Sequence, residues 1–184
     1  MTTIIDYLEK NKEDHPKKIF VQTESHKITY EEMYNKVCNF ELGLNQFEEK
    51  SIISIMFENS IEFIISYLGI IKSGKIVHII SPSISKKNFI KQIESCNPKI
   101  ILSLSKFINE FKNVKNTINF LDFYEFEKEN YENRKNKNSD IASLIYTSGT
   151  TSSPKGVQIK HSNIIFTTQN IVNVLGHLNS DIDI

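Results

Sequence analysis

Residues 145–157 read IYTSGTTSSPKGV, and from Thr147 to Ser153 every residue except Gly149 carries a hydroxyl. Six hydroxyls, one flexible hinge and one cation in a loop suit the binding of a polyphosphate. Such a ligand needs backbone N–H groups that converge, and Gly149 can take the positive φ that bends consecutive N–H groups into an anion-binding nest. Thr147, Ser148, Thr150 and Thr151 can donate hydroxyl protons to phosphate oxygens. Lys155 adds charge without fixed geometry, Pro154 stiffens the exit, and Gly156 lets the backbone re-enter a strand. A hairpin rich in Ser and Thr that is merely solvated is the competing reading on composition. A Walker loop is excluded. It requires a glycine directly before the lysine, Ser or Thr directly after it, and a following helix; here Pro154 and Gly156 hold those places and a strand-like run follows.

The elements that must position this loop can be read along the chain. TTIIDYLEKNKED has the spacing of an amphipathic helix with Ile4, Ile5 and Leu8 on one side, and KKIFVQTE and HKITY are short strands. Thr29 and Glu32 form a capping box that opens a helix to about Gln46. SIISIMF is a buried strand. Asn59 is placed to cap the next helix, almost apolar all round, which ends at Gly74 and therefore packs inside a layered protein. KIVHII is a strand, KKNFIKQIESC a helix with Phe89, Ile90 and Ile93 inward, and KIILSLS a strand. Residues 125–140 are charged with alternating sign and read as an exposed linker or loop. IASLIYT and GVQIK are strands on either side of the hydroxyl-rich loop, and Ser162 is placed to cap a last helix. Alternating strands and helices imply an α/β fold with a mostly parallel sheet flanked by helices.

Bulk properties narrow the function classes. With 22 basic and 22 acidic residues in 184, formal net charge is zero, which gives no support for a nucleic-acid or anionic-membrane partner. Cys38 and Cys96 occur without any CxxC and read as reduced thiols of a reducing compartment. The most apolar window, FIISYLGII, is 9 residues long, too short to cross a bilayer. The N-terminus lacks the pattern of a signal peptide. These features point to a cytoplasmic chain. His15, His26, His78, His161 and His177 show no metal-ligand spacing and read as structural or surface residues, with a capping or packing role for His161.

LIYTSGTTSSPKGV, residues 144–157, closely resembles the phosphate-binding signature of the adenylate-forming (AMP-binding) enzymes, a superfamily of acyl-CoA synthetases, aryl-CoA ligases, luciferases and peptide-synthetase adenylation domains. ITYEEMYNKV, NSIEFIISYLGIIKSGKIVHIISPSI and HSNII are similar to further family segments, in family order. The departures are Ser152 where glycine is usual, Ser81 for the Asn or Asp before Pro82, and Ile79 where proline is common. If position 152 needs φ > 0, Ser152 carries strain of roughly 1 kcal/mol or more.

The resemblance implies an ATP-dependent ligase. A carboxylic acid becomes an acyl-adenylate and is transferred to a thiol, with ATP, Mg2+ and coenzyme A (or a carrier-protein thiol) as cofactors and partners. It places Thr147, Ser148, Gly149, Thr150, Thr151, Ser152 and Lys155 against the nucleotide phosphates. Thr150-Thr151 tilts the reading toward an acyl- or aryl-CoA ligase over an amino-acid adenylation domain. The family's ribose-binding Thr-Gly-Asp, its aromatic-Gly-x-Thr-Glu stretch and its C-terminal lid with a catalytic lysine have no counterpart in the 184 residues. Residues 1–184 are therefore expected to be the N-terminal part of the AMP-binding domain, with catalytic residues downstream of residue 184 and no activity alone. A non-catalytic nucleotide-binding remnant is the alternative.

Overall fold

The computed structural model describes residues 3–104, 116–125, 140–147 and 154–175. In chain order these form α1 (Ile4–Asp14), β1 (Ile19–Gln22), β2 (Lys27–Thr29), α2 (Tyr30–Leu44), β3 (Ile52–Met56), α3 (Ile61–Lys72) and β4 (Ile76–Ile79). Then follow α4 (Lys86–Cys96), β5 (Ile100–Ser103), β6 (Thr117–Asn119), α5 (Phe120–Glu125), β7 (Ile141–Thr147), β8 (Lys155–Lys160) and α6 (His161–Leu175). β1 and β2 make a small antiparallel pair, and the other strands form a six-stranded sheet in the order β6-β5-β3-β4-β7-β8. Every pairing in that sheet is parallel except β7 with β8. The expected α/β architecture is present. β6 and α5 are additional to the elements read from the sequence, and most of the expected linker, residues 126–139, lies outside the described residues.

Local chemistry sets the helix ends. Thr29 and Glu32 form the expected capping box, with the Thr29 N–H donating to Glu32 Oε2 at 2.8 Å, and Thr3 and Asp6 form a second one on α1. The cap of α3 is Ser60 and not Asn59: Ser60 has extended dihedrals and its Oγ accepts from the Phe63 N–H at 3.2 Å. The cap must be the last non-helical residue, and the helix begins one position later than Asn59 requires. Ser162 likewise lies inside the first turn of α6. There the Lys160 N–H donates to Asn163 Oδ1 at 3.0 Å, the return half of a capping box. Gly74, at φ 71°, takes the left-handed turn that ends α3. Ser81, in place of a family Asn or Asp, still makes the turn after β4, because its Oγ accepts from the Ser83 N–H at 3.3 Å.

Alternation along the strands divides the core by sheet face. Ile53, Ile55, Val77, Ile100 and Leu102 pack with Met33, Val37, Phe40 and Leu44 of α2 and Ile65, Leu68 and Ile71 of α3. Met56, Ile80 and Ile101 pack with Phe89 of α4. Ile90 of α4, expected inward, is 39% exposed, and Gln92 takes the inward position with Phe89. On the first face the aromatic ring of Phe40 stacks on Phe120 at 5.8 Å and tilts against Phe123 at 5.2 Å, which docks α5. α2 and α3 approach closely at Gly69, where an added Cβ would come 2.5 Å from Phe40 Cδ1. Behind them Lys72 Nζ reaches Glu41 Oε2 at 3.4 Å and Glu9 Oε1 at 3.5 Å, tying α3 to α2 and α1. Burial acts to lower the Lys72 pKa, but Glu41 beside it leaves the net shift upward.

The α4 face also buries a polar group. His78, on β4, has no exposed surface. Ser54 Oγ lies 2.8 Å and Cys96 Sγ 3.3 Å from its Nδ1. Both lie within hydrogen-bond reach of Nδ1, with donor and acceptor set by the ring tautomer. Burial lowers the His78 pKa to about 4, opposed by the Gln92 side chain, and burial raises the Cys96 thiol to about 11. Cys38 and Cys96 are both free thiols.

Two outcomes follow from this packing. A Gly69→Ala exchange in open solvent would stabilise the helix by up to about 1 kcal/mol, but Phe40 occupies the space the methyl needs. Gly69→Ala is therefore expected to destabilise by about 1–3 kcal/mol in urea unfolding; a stabilised variant would show that Phe40 yields freely. The groups facing His78 are Ser54, Gln92, Cys96 and Tyr146, none of them a carboxylate. Because the folded ring resists the proton that the unfolded ring accepts near pH 6.5, stability should fall as pH drops below that value toward 4. Between pH 7 and 5 the loss from His78 is expected to be about 2 kcal/mol. Urea midpoints of the chain and of His78→Phe check this, the variant flattening the slope.

Candidate functional site

Thr147 closes β7 and Lys155 opens β8, and they are paired across the antiparallel ladder next to the Tyr146–Gly156 pair. Side chains directly opposite in such a ladder share a face, so Thr147 and Lys155 project from one face of the hairpin at the mouth of the connecting loop. Both residues are exposed. Ser148, Gly149, Thr150, Thr151 and Ser152 lie outside the described residues. β7 runs parallel to β4, so the loop leaves from the carboxyl edge of the parallel strands, the side where α/β sheets bind ligands.

Packing on both faces fixes the strand that delivers Thr147. On the α3 side, Ser143 Oγ lies 2.8 Å from Tyr67 OH. On the α4 side, Tyr146 meets His78 edge to face, with ring centroids 5.2 Å apart and an interplanar angle of 70°. Burial raises the Tyr146 pKa, and a hydrogen bond with Ser95 at the end of α4 opposes it. Across the ladder, a Cβ on Gly156 would come 3.0 Å from Leu144 Cδ1 and 3.3 Å from Tyr146 Cζ. The requirement at Gly156 is thus space for Leu144 and Tyr146. Gly156 already lies within β8 and is not among the positive-φ residues.

His161 opens α6 and is 6% exposed, and its N–H donates to the Asp140 carbonyl at 3.2 Å. Burial lowers its pKa, opposed by Asp140 and Asp6. Its side chain is buried at the first residue of α6. His15 and His26 are exposed, and His177 lies outside the described residues. Among the described residues no group of three or more His, Cys, Asp or Glu side chains could hold a metal ion, and no helix is long and apolar enough to cross a membrane. The sequence reading missed the Tyr146–His78 contact. Its one trace is a histidine inside the apolar run KIVHII, in phase with Ile80 on the α4 face.

Comparison with known proteins places this arrangement. Over 167 residues the chain is 32% identical to gramicidin S synthase 2 of Brevibacillus brevis, covering 89% of the chain and 4% of the synthase. Over 158 residues it is 25% identical to 4-coumarate:CoA ligase 1 of Petunia hybrida, covering 77% of the chain and 29% of the ligase. The chain thus spans less than a third of either relative. Solved structures of o-succinylbenzoate CoA synthetase from Bacillus subtilis share the fold. The complex with a product analogue superposes with a TM-score of 0.85 at 22% identity, covering 95% of the chain and 37% of the synthetase. Complexes of that synthetase with AMP and with ATP and magnesium ion have TM-scores of 0.84 and 0.83. The family model described as AMP-binding enzyme matches residues 8–182, so the chain that carries this hairpin belongs to the AMP-binding, adenylate-forming enzyme family.

Proposed function

We propose that the β7–β8 hairpin is the phosphate clamp of an ATP-dependent, acid-activating ligase. The observation that carries this reading is the pairing of Thr147 with Lys155 at the mouth of a loop whose sequence is hydroxyls around one glycine. In the proposed reaction a carboxylate oxygen attacks the α-phosphorus of ATP. A P–O bond to it forms, the P–O bond to the β-phosphate breaks, and pyrophosphate leaves with the electron pair. Thr147, Ser148, Gly149, Thr150, Thr151, Ser152 and Lys155 hold the β- and γ-phosphates and stabilise the charge that gathers on the leaving group. A thiol then attacks the acyl carbon and AMP departs.

The donor set at the hairpin mouth, a hydroxyl and an ammonium, fits an anion and does not fit a divalent cation. No carboxylate cluster among the described residues adds one. Mg2+ is accordingly assigned to the nucleotide phosphates, and no step on this chain runs through it. The AMP and ATP–magnesium complexes of the Bacillus subtilis synthetase support the choice of nucleotide.

Thr150-Thr151 favours an acyl-CoA synthetase with coenzyme A as the acceptor. A second reading, amino-acid activation with a carrier-protein thiol, is favoured by the identity to gramicidin S synthase 2, 32% against 25% for the coumarate ligase. The share of either relative that the chain spans makes the full reaction a property of the protein to which these residues belong. The chain is proposed as the N-terminal part of its larger domain, placed in the cytoplasm and competent alone for phosphate binding only.

Lys155→Ala is expected to weaken pyrophosphate binding to the 184-residue chain. The loss should be about 10- to 100-fold, the worth of a hydrogen bond to a charged group, and smaller in high salt. Unchanged affinity by calorimetry would remove Lys155 from the clamp. In the full-length ligase the same variant should slow adenylate formation more than thiol transfer, and equal losses in single-turnover measurements would oppose the assigned role. Purified chain given ATP and mixed amino, aryl and fatty acids should form no adenylate; a stoichiometric adenylate would overturn the binding-only reading.

A further inference from the structure

The strand that carries the clamp is packed thickly on one side and thinly on the other. β4, on one flank of β7, contributes Val77 and His78 with no exposed surface. β8, on the other flank, is exposed at Lys155, Gly156, Val157 and Gln158. The end of β7 must therefore take its position from β4 and α4. The last paired rung of β4 and β7 is Ile79 with Ile145, one residue short of Tyr146. Beyond it, the ring of Tyr146 replaces the backbone ladder and is met edge-on by His78, two residues off register on the α4 face.

We propose that His78 is a positioning residue for the phosphate clamp. Locked among Ser54, Cys96 and Gln92, its ring sets Tyr146 across Gly156 and thereby fixes the Thr147–Lys155 rung. The proposal rests on the phosphate-binding reading above. Three observations carry it. His78 is anchored from two elements, by Ser54 of β3 at 2.8 Å and by Cys96 of α4 at 3.3 Å. Gln92 of α4, buried beside it, is a third polar side chain that meets the ring. Gly156 leaves the space into which Leu144 and the Tyr146 ring settle, so a shift of Tyr146 is passed directly to β8. The Cys96 thiol serves in this anchor as a hydrogen-bond partner of the ring, and its raised pKa argues against a nucleophilic or redox task.

The test uses the 184-residue chain, inorganic pyrophosphate as the probe and the Tyr146 ring resonances as a reporter independent of ligand. His78→Leu removes the ring, and His78→Phe keeps an aromatic edge without the polar anchors. His78→Leu is expected to move the Tyr146 ring resonances and to weaken pyrophosphate binding by about tenfold, the lower end for one charge-assisted hydrogen bond. His78→Phe is expected to recover most of that affinity. Tyr146→Leu should cost a similar factor, and the double variant should cost little more than either alone, since both act on one rung. A purely structural histidine would lower the urea midpoint in both His78 variants and leave affinity unchanged, which would overturn the proposal. So would Tyr146 resonances unmoved in a folded His78→Leu chain. If the unsubstituted chain binds neither pyrophosphate nor ATP, the phosphate reading itself fails, and the ring coupling is still decided by the Tyr146 resonances.

Discussion

A parallel sheet cannot leave either face in water, and most of this structure follows from that constraint. β3, the first strand of the large sheet in the chain, lies near its centre with β4 and β5 on its flanks. Both of its faces are therefore committed. Ile53 and Ile55 go to α2 and α3, and Met56 goes to α4. The demand on α3 is severe, since it must lie against the sheet and against α2 together. That explains both its nearly all-round apolar sequence and the glycine at position 69, without which Phe40 and the α3 backbone could not share the same space. The same demand explains the charged tie behind α3. Lys72 ends the helix where it emerges from the core, and two carboxylates from α1 and α2 meet it there.

Covering the second face with α4 leaves an odd place in the layer. Ser54, His78, Gln92 and Ser103 are buried there beside Met56, Ile80 and Phe89. A buried neutral imidazole is costly to protonate and demands partners, so this patch trades tolerance of acid for directional contacts. Directional contacts are what the other face lacks. Apolar packing sets distances between layers but tolerates small slides, whereas a ring held through Nδ1 by two elements has one orientation. A strand end that must present a hydroxyl opposite an ammonium gains more from the second kind of support.

Much of the fold was legible because its signals are local. The capping box at Thr29, the positive-φ glycine at 74 and the strand runs at 52–56 and 141–147 each arise from residues within a few positions of one another. What could not be read is what depends on distant partners. α5 is held by Phe120 and Phe123 against Phe40, about 80 positions away in the chain. β6 has only three residues and pairs only through β5. Ile90, expected inward, is exposed and Gln92 is buried, because the α4 face holds the polar ring of His78 as well as apolar side chains. At the site, the strands on either side of the loop were visible in the residue types, and the pairing of Thr147 with Lys155 was a consequence of one strand, one loop and one returning strand. The support beneath it, Tyr146 on His78, joins residues 68 positions apart and left only a polar letter in an apolar strand.

The returning strand is also what separates the proposed clamp from the usual anion site of α/β proteins. A helix after the loop would offer its N-terminal N–H groups and dipole to a phosphate. β8 offers neither, and α6 begins only after β8 has run its length. Charge and donors must then come from side chains and from loop backbone. In the proposed clamp, hydroxyls at five of the positions between Gly149 and Lys155 or beside them, and a lysine at the first residue of β8, would supply what the absent helix would have given. Side chains confer this only if their strands are held in register. β8 is exposed along most of its length, and next to the Thr147–Lys155 rung Gly156 leaves room for Leu144 and Tyr146. In the proposed clamp, the Thr147–Lys155 rung would thus depend on shape one residue below, at Tyr146 and Gly156.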